Sequence, residues 1–164
     1  MKKFILLSGM IFLLIQSTAF AHTMPRSEMY VGGVGAGCDF RFVKKVYGEP
    51  KEKIFWSGEG LRVITYVYSP TFSVTGRTFD GYSIPEEKII ITGFSLKEGS
   101  LTMPCGLTVG NSYEDVVQKF GDGVKMNVDS RISYSYAAPN SAVELTFYVN
   151  EDNIITEIYE GTEL

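Results

Sequence analysis

Histidine is almost absent from this sequence, since His22 is the only one among 164 residues. A Ser–His–Asp triad or a Cys–His pair needs an imidazole as its base, so a lone histidine excludes the ordinary form of both. No cluster of histidine and cysteine has the spacing of a zinc site. We therefore expect no enzymatic activity, no catalytic residue, no metal and no cofactor, and we interpret His22 as a frayed terminal residue.

Basic clusters are missing as well. The chain carries 15 Lys and Arg against 19 Asp and Glu, a formal net charge of −4, and loss of Lys2 and Lys3 with a leader would make it more acidic. Proteins that bind nucleic acids or anionic membranes concentrate positive charge on one surface. We therefore expect no nucleic-acid partner and no attraction to anionic membranes.

Long apolar runs are absent beyond the first one. Phe4 to Ile15 follows Lys2 and Lys3 and precedes Ala19-Phe20-Ala21, an A-x-A cleavage pattern. The run is too short to span a bilayer, so residues 1–21 are predicted to be a secretory signal peptide, with a short membrane anchor as the alternative. We expect a protein that is exported, periplasmic or secreted, with no membrane insertion after signal removal. Residues 22–30 are predicted to be a flexible lead-in to a single domain over 31–164.

Cysteine is scarce, with only Cys38 and Cys105. Export permits disulfides, and an even count makes one plausible. We therefore predict a disulfide between Cys38 and Cys105, against the alternative of two free buried thiols.

Two stretches of the chain share one pattern of glycines and apolar residues. Gly33 aligns with Gly106, Gly37 with Gly110, Val43 with Val116, Tyr47 with Phe120, and Gly48 with Gly121. Each stretch precedes an aromatic segment and then an isoleucine-rich one. The pattern predicts repeat 1 over 31–98 and repeat 2 over 99–164, because a period near seventy residues suits half of a pseudo-symmetric domain.

Each repeat predicts one short helix followed by four strands. In the second, Ser112 and Asp115 form an N-terminal capping signal, and Gly121 suits the C-terminal end. In the first, Asp39 is the candidate cap and Gly48 the terminator. Alternating apolar residues predict strands near 53–57, 61–68, 72–75 and 88–94, and again near 124–128, 132–137, 142–149 and 153–159.

The fold class expected from these elements is α+β. Two tandem copies of a helix plus four antiparallel strands would form one curved sheet, with the helices on one side. The opposite side of the sheet would then be an open, pleated surface.

The motif from Gly106 through Gly110, Ser112 and Asp115 to Phe120-Gly121 resembles the repeat of exported proteins of the β-lactamase-inhibitor-protein-like type. It is similar, more loosely, to SmpA/OmlA (BamE-type) domains, although those carry a lipidated cysteine and a single copy. The resemblance implies tandem halves and a concave sheet that binds other proteins. No inhibitor contact residue can be transferred, because no matching motif occurs here.

Two further motifs have structural interpretations. The glycine-rich segment from Gly33 to Gly37 lacks the lysine of a phosphate-binding loop, and its outer glycines recur at Gly106 and Gly110. The acidic pairs at 86–87 and 114–115 lie in a loop and in the first turn of a helix, where carboxylates are ordinary. A hydrolase that uses carboxylates alone is therefore the weakest functional alternative.

Aromatic residues provide the candidate site. In the second repeat, Tyr134 and Tyr136 alternate with Ser133 and Ser135. The four strand tyrosines are therefore predicted to face the helices as core, namely Tyr66, Tyr68, Tyr134 and Tyr136. The candidates for a protein-binding surface are Trp56, Phe79, Tyr82, Tyr148 and Tyr159. We predict a non-enzymatic module that binds another envelope or extracellular protein, with an inhibitor of a secreted hydrolase, such as a β-lactamase, as the alternative.

Overall fold

A computed structural model describes residues 22–128 and 130–162 of the chain, and the predicted signal peptide lies outside these residues. Most of the molecule is one antiparallel sheet of eight strands in the order β1-β2-β3-β4-β8-β7-β6-β5. The strands are β1 Glu52–Gly58, β2 Leu61–Ser69, β3 Phe72–Phe79, β4 Ile91–Leu96, β5 Val124–Val128, β6 Arg131–Ala137, β7 Val143–Val149 and β8 Ile155–Thr162.

Two short helices accompany the sheet, α1 over Phe40–Tyr47 and α2 over Tyr113–Phe120. The predicted ends of both helices are confirmed. Asp39 accepts a hydrogen bond from the Phe42 N–H, and Ser112 and Asp115 form a complete capping box. Single 3₁₀ turns occur at Arg26–Glu28 and Glu86–Lys88. Within the described ranges, no helix is long and apolar enough to cross a membrane.

The expected fold class is wrong. The molecule is mostly one eight-stranded antiparallel sheet with only two eight-residue helices, and not two tandem copies of a helix plus four strands. The sequence match reports local features, namely helix caps and glycines with positive φ, and these do not define separate modules. Pairing of β4 with β8 through Phe94–Glu160, Ser95–Tyr159 and Leu96–Ile158 joins all strands into one layer.

The hydrophobic core lies between the helices and one face of this sheet. Phe40 of α1 stacks on Tyr66 of β2 with ring centroids 4.0 Å apart, and Tyr113 of α2 stacks on Tyr134 of β6 at 3.6 Å. Tyr66 and Tyr136 are fully buried. The prediction that these strand tyrosines face the helices is confirmed, and residues paired with them in register share that face.

The segment predicted as a flexible lead-in, residues 22–30, packs against this core. Met24 and Met29 are fully buried. Thr23 forms a parallel bridge with Ala137 at the end of β6, and the Ala137 N–H donates to the His22 carbonyl at 3.0 Å. The methionines supply apolar surface that the sheet and the short helices do not provide.

The predicted disulfide is absent, since Cys38 and Cys105 are both free and are not within bonding distance. The main chain of Cys38 is tied to β4, where its carbonyl accepts from the Ile91 N–H at 2.7 Å. Cys105 lies in the turn closed by the Gly106 N–H on the Met103 carbonyl at 2.9 Å. Even number and export allow a disulfide, but they do not bring two cysteines together.

Candidate functional site

The side of the sheet opposite the helices is the candidate site, and we call it the open face. Residues in register on neighbouring antiparallel strands share a face, and the face alternates along each strand. Tyr66 and Ile64 point to the helices, so Val63, Thr65 and Val67 belong to the open face. The same reasoning, followed through the register of all eight strands, assigns one side chain in two to this surface.

Four of the five predicted binding residues lie on the open face. Trp56 is in register with Val63 on β2, and Phe79 follows two residues after Arg77 on β3. Tyr148 and Tyr159 lie on β7 and β8. Trp56 is 51%, Phe79 61% and Tyr159 44% exposed, which is unusual for large rings on a folded surface.

Tyr82, the fifth predicted residue, lies in the loop after β3. Its ring centroid is 6.2 Å from that of Phe79, and it is 64% exposed. Phe79 and Tyr82 therefore form a projecting aromatic pair at one corner of the open face.

A depression occupies the middle of the open face, at the junction of β3, β4 and β8. Ser73, Thr75, Ser95 and Tyr159 line it. Gly93 has no room for a side chain, because a Cβ there would lie 2.0 Å from the Glu160 carbonyl oxygen. A Cβ on Gly161 would meet the Tyr159 ring at 3.0 Å. The two glycines thus leave the floor of the depression low and let the tyrosine ring lie flat.

Hydroxyl groups and one ion-pair network make the rest of the open face polar. Glu157 accepts from Arg131 Nη1 and from Ser95 Oγ, both at 2.8 Å, and Lys97 Nζ is 3.8 Å away. The Arg131 guanidinium lies 4.1 Å from the centroid of the Tyr148 ring. Because Glu157 is only 8% exposed, this network fixes the side chains around Tyr148.

The sequence reasoning missed several apolar residues at the two edges of the sheet. Ile54 on β1 and Val124 and Met126 on β5 lie on the open face and are 51%, 47% and 38% exposed. Phe55, on the helix side of β1, is 59% exposed. The sequence does predict strands at these residues. It does not predict that they lie at the edges of the sheet, because edge position depends on the strand order.

A buried carboxyl lies beneath the sheet at Glu160. Glu160 is 1% exposed, its Oε2 accepts from the Ala36 N–H at 2.6 Å, and its Oε1 has no hydrogen-bond partner in the part of the chain that the structure describes. Burial raises the pKa of Glu160 to about 7, although the Ala36 N–H and the Arg26 charge oppose this. Arg26 also donates to the Ala36 carbonyl. The N–H and the carbonyl of Ala36 therefore both form hydrogen bonds with charged or acidic side chains.

Groups suited to chemistry are few among residues 22–128 and 130–162. No cluster of three or more His, Cys, Asp or Glu side chains could hold a metal there. Glu86 accepts from Lys53 Nζ at 2.7 Å and from the Tyr66 hydroxyl; burial alone would raise its pKa, but these two bonds lower it. Burial raises the pKa of the Cys105 thiol, which disfavours the reactive thiolate.

Comparison with known proteins gives likeness of fold. No family model matches the chain, and no curated protein matches it. Among solved structures, it is similar to an extracellular protein containing an SCP domain from Bacillus anthracis, at 12% identity and TM-score 0.50, covering 86% of this chain and 46% of that one. It is also similar to a cysteine-rich secretory protein from Staphylococcus aureus, at 10% identity and TM-score 0.53, covering 86% and 49%.

The chain thus spans about half the length of these two structures, and at such identities they show the fold alone. A candidate β-lactamase inhibitor protein from Streptococcus mutans is similar at 12% identity and TM-score 0.32, covering 77% of this chain and 85% of that one. The resemblance of the sequence to SmpA/OmlA domains stays a prediction.

Proposed function

We propose that this chain is an exported, non-enzymatic module that binds another envelope or extracellular protein through its open face. The observation that supports this is the placement of Trp56, Phe79 and Tyr159 on one uncovered side of the sheet, each more than two-fifths exposed. Large exposed aromatic rings are typical of the residues that anchor a protein interface. Export is supported by the pattern of the first 21 residues and agrees with two fold neighbours described as extracellular or secretory.

The geometry of the open face suits a protein rather than a small molecule. Hydroxyl groups line its central depression, and its aromatic residues are spread from β1 to β8 instead of converging on one cavity. Small-molecule sites usually bury most of a ligand in a concave pocket. A broad surface with separated anchors is what a protein partner can cover.

Site-specific photocrosslinking in the producing cell tests this function. A photoreactive residue replaces Tyr159 on the open face, or Phe42 on the exposed side of α1 as a matched control, because Phe42 is 41% exposed. We expect one captured protein from position 159 and not from position 42. Tyr159→Ala should then weaken binding of that purified protein by about tenfold or more, whereas Phe42→Ala should not. Equal capture from both positions, or full binding by Tyr159→Ala, would contradict the proposal.

A second candidate is inhibition of a secreted hydrolase such as a β-lactamase. The projecting pair Phe79 and Tyr82 favours it, because two exposed rings at the end of β3 and in the loop after it can enter a concave active site. Inhibition assays on β-lactamases and cell-wall hydrolases test it. We expect inhibition that is lost in Phe79→Ala and Tyr82→Ala, and an absence of inhibition across the panel would remove this candidate.

A further inference from the structure

Strand β1 forms one outer edge of the sheet and exposes three consecutive large apolar residues. Ile54, Phe55 and Trp56 are 51%, 59% and 51% exposed. Strand β2 pairs with only one side of β1. Within residues 22–128 and 130–162, the main chain of these three residues forms no hydrogen bond outside that pairing. Such an edge is a template for another strand unless charge, proline or a bulge blocks it.

The opposite edge, β5, is different in composition. Its apolar residues Val124 and Met126 alternate with Lys125 and Asn127, so polar side chains interrupt the strand. Alternation with a lysine is a usual protection of an edge. The contrast shows that only β1 presents an uninterrupted apolar stretch at the border of the sheet.

We propose that β1 pairs antiparallel with β1 of a second copy of this chain, so that two sheets join into one. A two-fold axis perpendicular to the sheet places the open faces of both copies on the same side of the joined sheet. Residues that lie opposite one another across the axis must therefore belong to the same face. With the axis at Phe55, Phe55 lies opposite Phe55 of the second copy, and Ile54 lies opposite Trp56 of that copy. Each of the three exposed side chains then lies directly opposite an exposed apolar side chain of the second copy.

The neighbouring registers are worse. Moving the axis by one residue would place Phe55 opposite Lys53 or opposite Ser57 of the second copy. The register centred on Phe55 also brings Lys51, just before β1, near Glu59 of the second copy, which lies in the turn after β1. Neither residue forms an ion pair among the described residues. The stretch from Lys51 to Glu59 contains two lysines and two glutamates, so the acidic charge of the whole chain does not oppose this contact.

The pairing also involves the two ends of β1. The Trp56 ring lies over Gly58, where an added Cβ would meet it at 2.7 Å, and Glu52 of the second copy would face this glycine. The joined sheets would carry both open faces on the same side. The second copy therefore extends the candidate binding surface and does not cover it.

Sedimentation equilibrium of the purified protein over a wide range of concentration tests the pairing. We expect a monomer–dimer equilibrium, and Phe55→Lys should raise the dimer dissociation constant by about tenfold or more, since it places two lysines opposite each other. Met126→Lys, the same change of charge at the other edge, should leave the constant unchanged. A monomer at every concentration, or equal weakening by both variants, would overturn the proposal.

A cysteine pair tests the register. In a Cys38→Ser, Cys105→Ser background, Phe55→Cys should form an intermolecular disulfide under mild oxidation, because residue 55 lies opposite itself. Glu52→Cys should not, because it lies opposite Gly58 of the second copy. Crosslinking of both variants, or of neither, would overturn the Phe55-centred pairing. The tests of the proposed function use positions outside β1, so either proposal can fail while the other stands.

Discussion

Glu160 is the residue whose surroundings differ most from those of an ordinary member of its type. It lies on β8, and its carboxyl is buried on the helix side of the sheet. The carboxyl accepts a hydrogen bond from the Ala36 N–H, while the Arg26 guanidinium donates one to the Ala36 carbonyl. The close approach requires Gly35, where a Cβ would lie 2.6 Å from the Met29 carbonyl and 3.2 Å from Glu160 Oε2. One carboxyl thus positions the segment that carries the buried methionines.

We predict that Glu160 makes stability fall as pH rises. Its pKa is about 7 in the folded state against an ordinary 4.5, so between these values the folded chain binds a proton that the unfolded chain does not. The free energy of unfolding should therefore drop on the order of 3 kcal/mol across this window and level off above pH 7. Chemical denaturation at several pH values measures the change.

The matched variants for this prediction are Glu160→Gln and Glu144→Gln. Glu160→Gln cannot ionise, so its stability should change less between pH 5 and pH 7.5 than that of the wild type. Glu144 lies on the solvent-accessible side of β7, and Glu144→Gln should follow the wild-type profile. Parallel profiles for wild type and Glu160→Gln would contradict the assignment.

At the scale of elements, the helices depend on their caps and on the sheet. Each has eight residues, too few to persist alone in water. The aromatic stacking of Phe40 on Tyr66 and of Tyr113 on Tyr134 fixes them to β2 and β6. The N-terminal end of each helix is fixed by side-chain hydrogen bonds of a capping residue, Asp39 or Ser112, and the sequence predicts both caps.

Removal of the α2 cap should destabilise the protein measurably. Ser112→Ala loses the acceptor for the Glu114 N–H and half of the capping box, and we expect a loss of about 1 kcal/mol. For a domain of this size, the melting temperature should fall by about 3 °C. The control is Ser100→Ala, which lies outside the helices and removes an exposed hydrogen bond to Glu98. An equal effect of both changes would argue against the cap.

The elements show where sequence reasoning succeeded. Strands near 61–68, 124–128 and 132–137 were predictable because alternation and turn residues are local signals. The capping residues of both helices were predictable for the same reason. The N-terminal segment was different, since Met24 and Met29 have no periodic neighbours, and only the assembled sheet shows the cavity that they fill.

For the whole molecule, sequence comparison of the two halves led to the wrong architecture, and the even number of cysteines led to a disulfide that the structure lacks. Matching glycines and caps determine backbone conformation over a few residues. They contain no information on β4 pairing with β8 or on the separation of Cys38 from Cys105. Tyr148 was a candidate because strand alternation assigns it to a face, and Phe79 and Tyr82 were candidates because they lie outside the predicted strands. The edge residues Ile54 and Phe55 required the strand order.

The free cysteines give a prediction for the whole chain. We expect the purified protein to react with two equivalents of a thiol reagent after unfolding, and its intact mass to be the same with and without reductant. Its unfolding transition should also be independent of reductant, because no crosslink restricts the unfolded chain. A mass lower by about two daltons before reduction would restore the disulfide between Cys38 and Cys105.

The pairing of β4 with β8 also determines the order in which the molecule can assemble. Among the described strands, every other pair of sheet neighbours is consecutive in the chain, so each of those pairs can form without waiting for a distant part of the chain. Residues 94 and 160 are far apart in the chain and must come together to pair. Only three pairs of residues in register stabilise this contact between β4 and β8. Because closing a long loop is entropically costly, we expect this central join to set the folding rate.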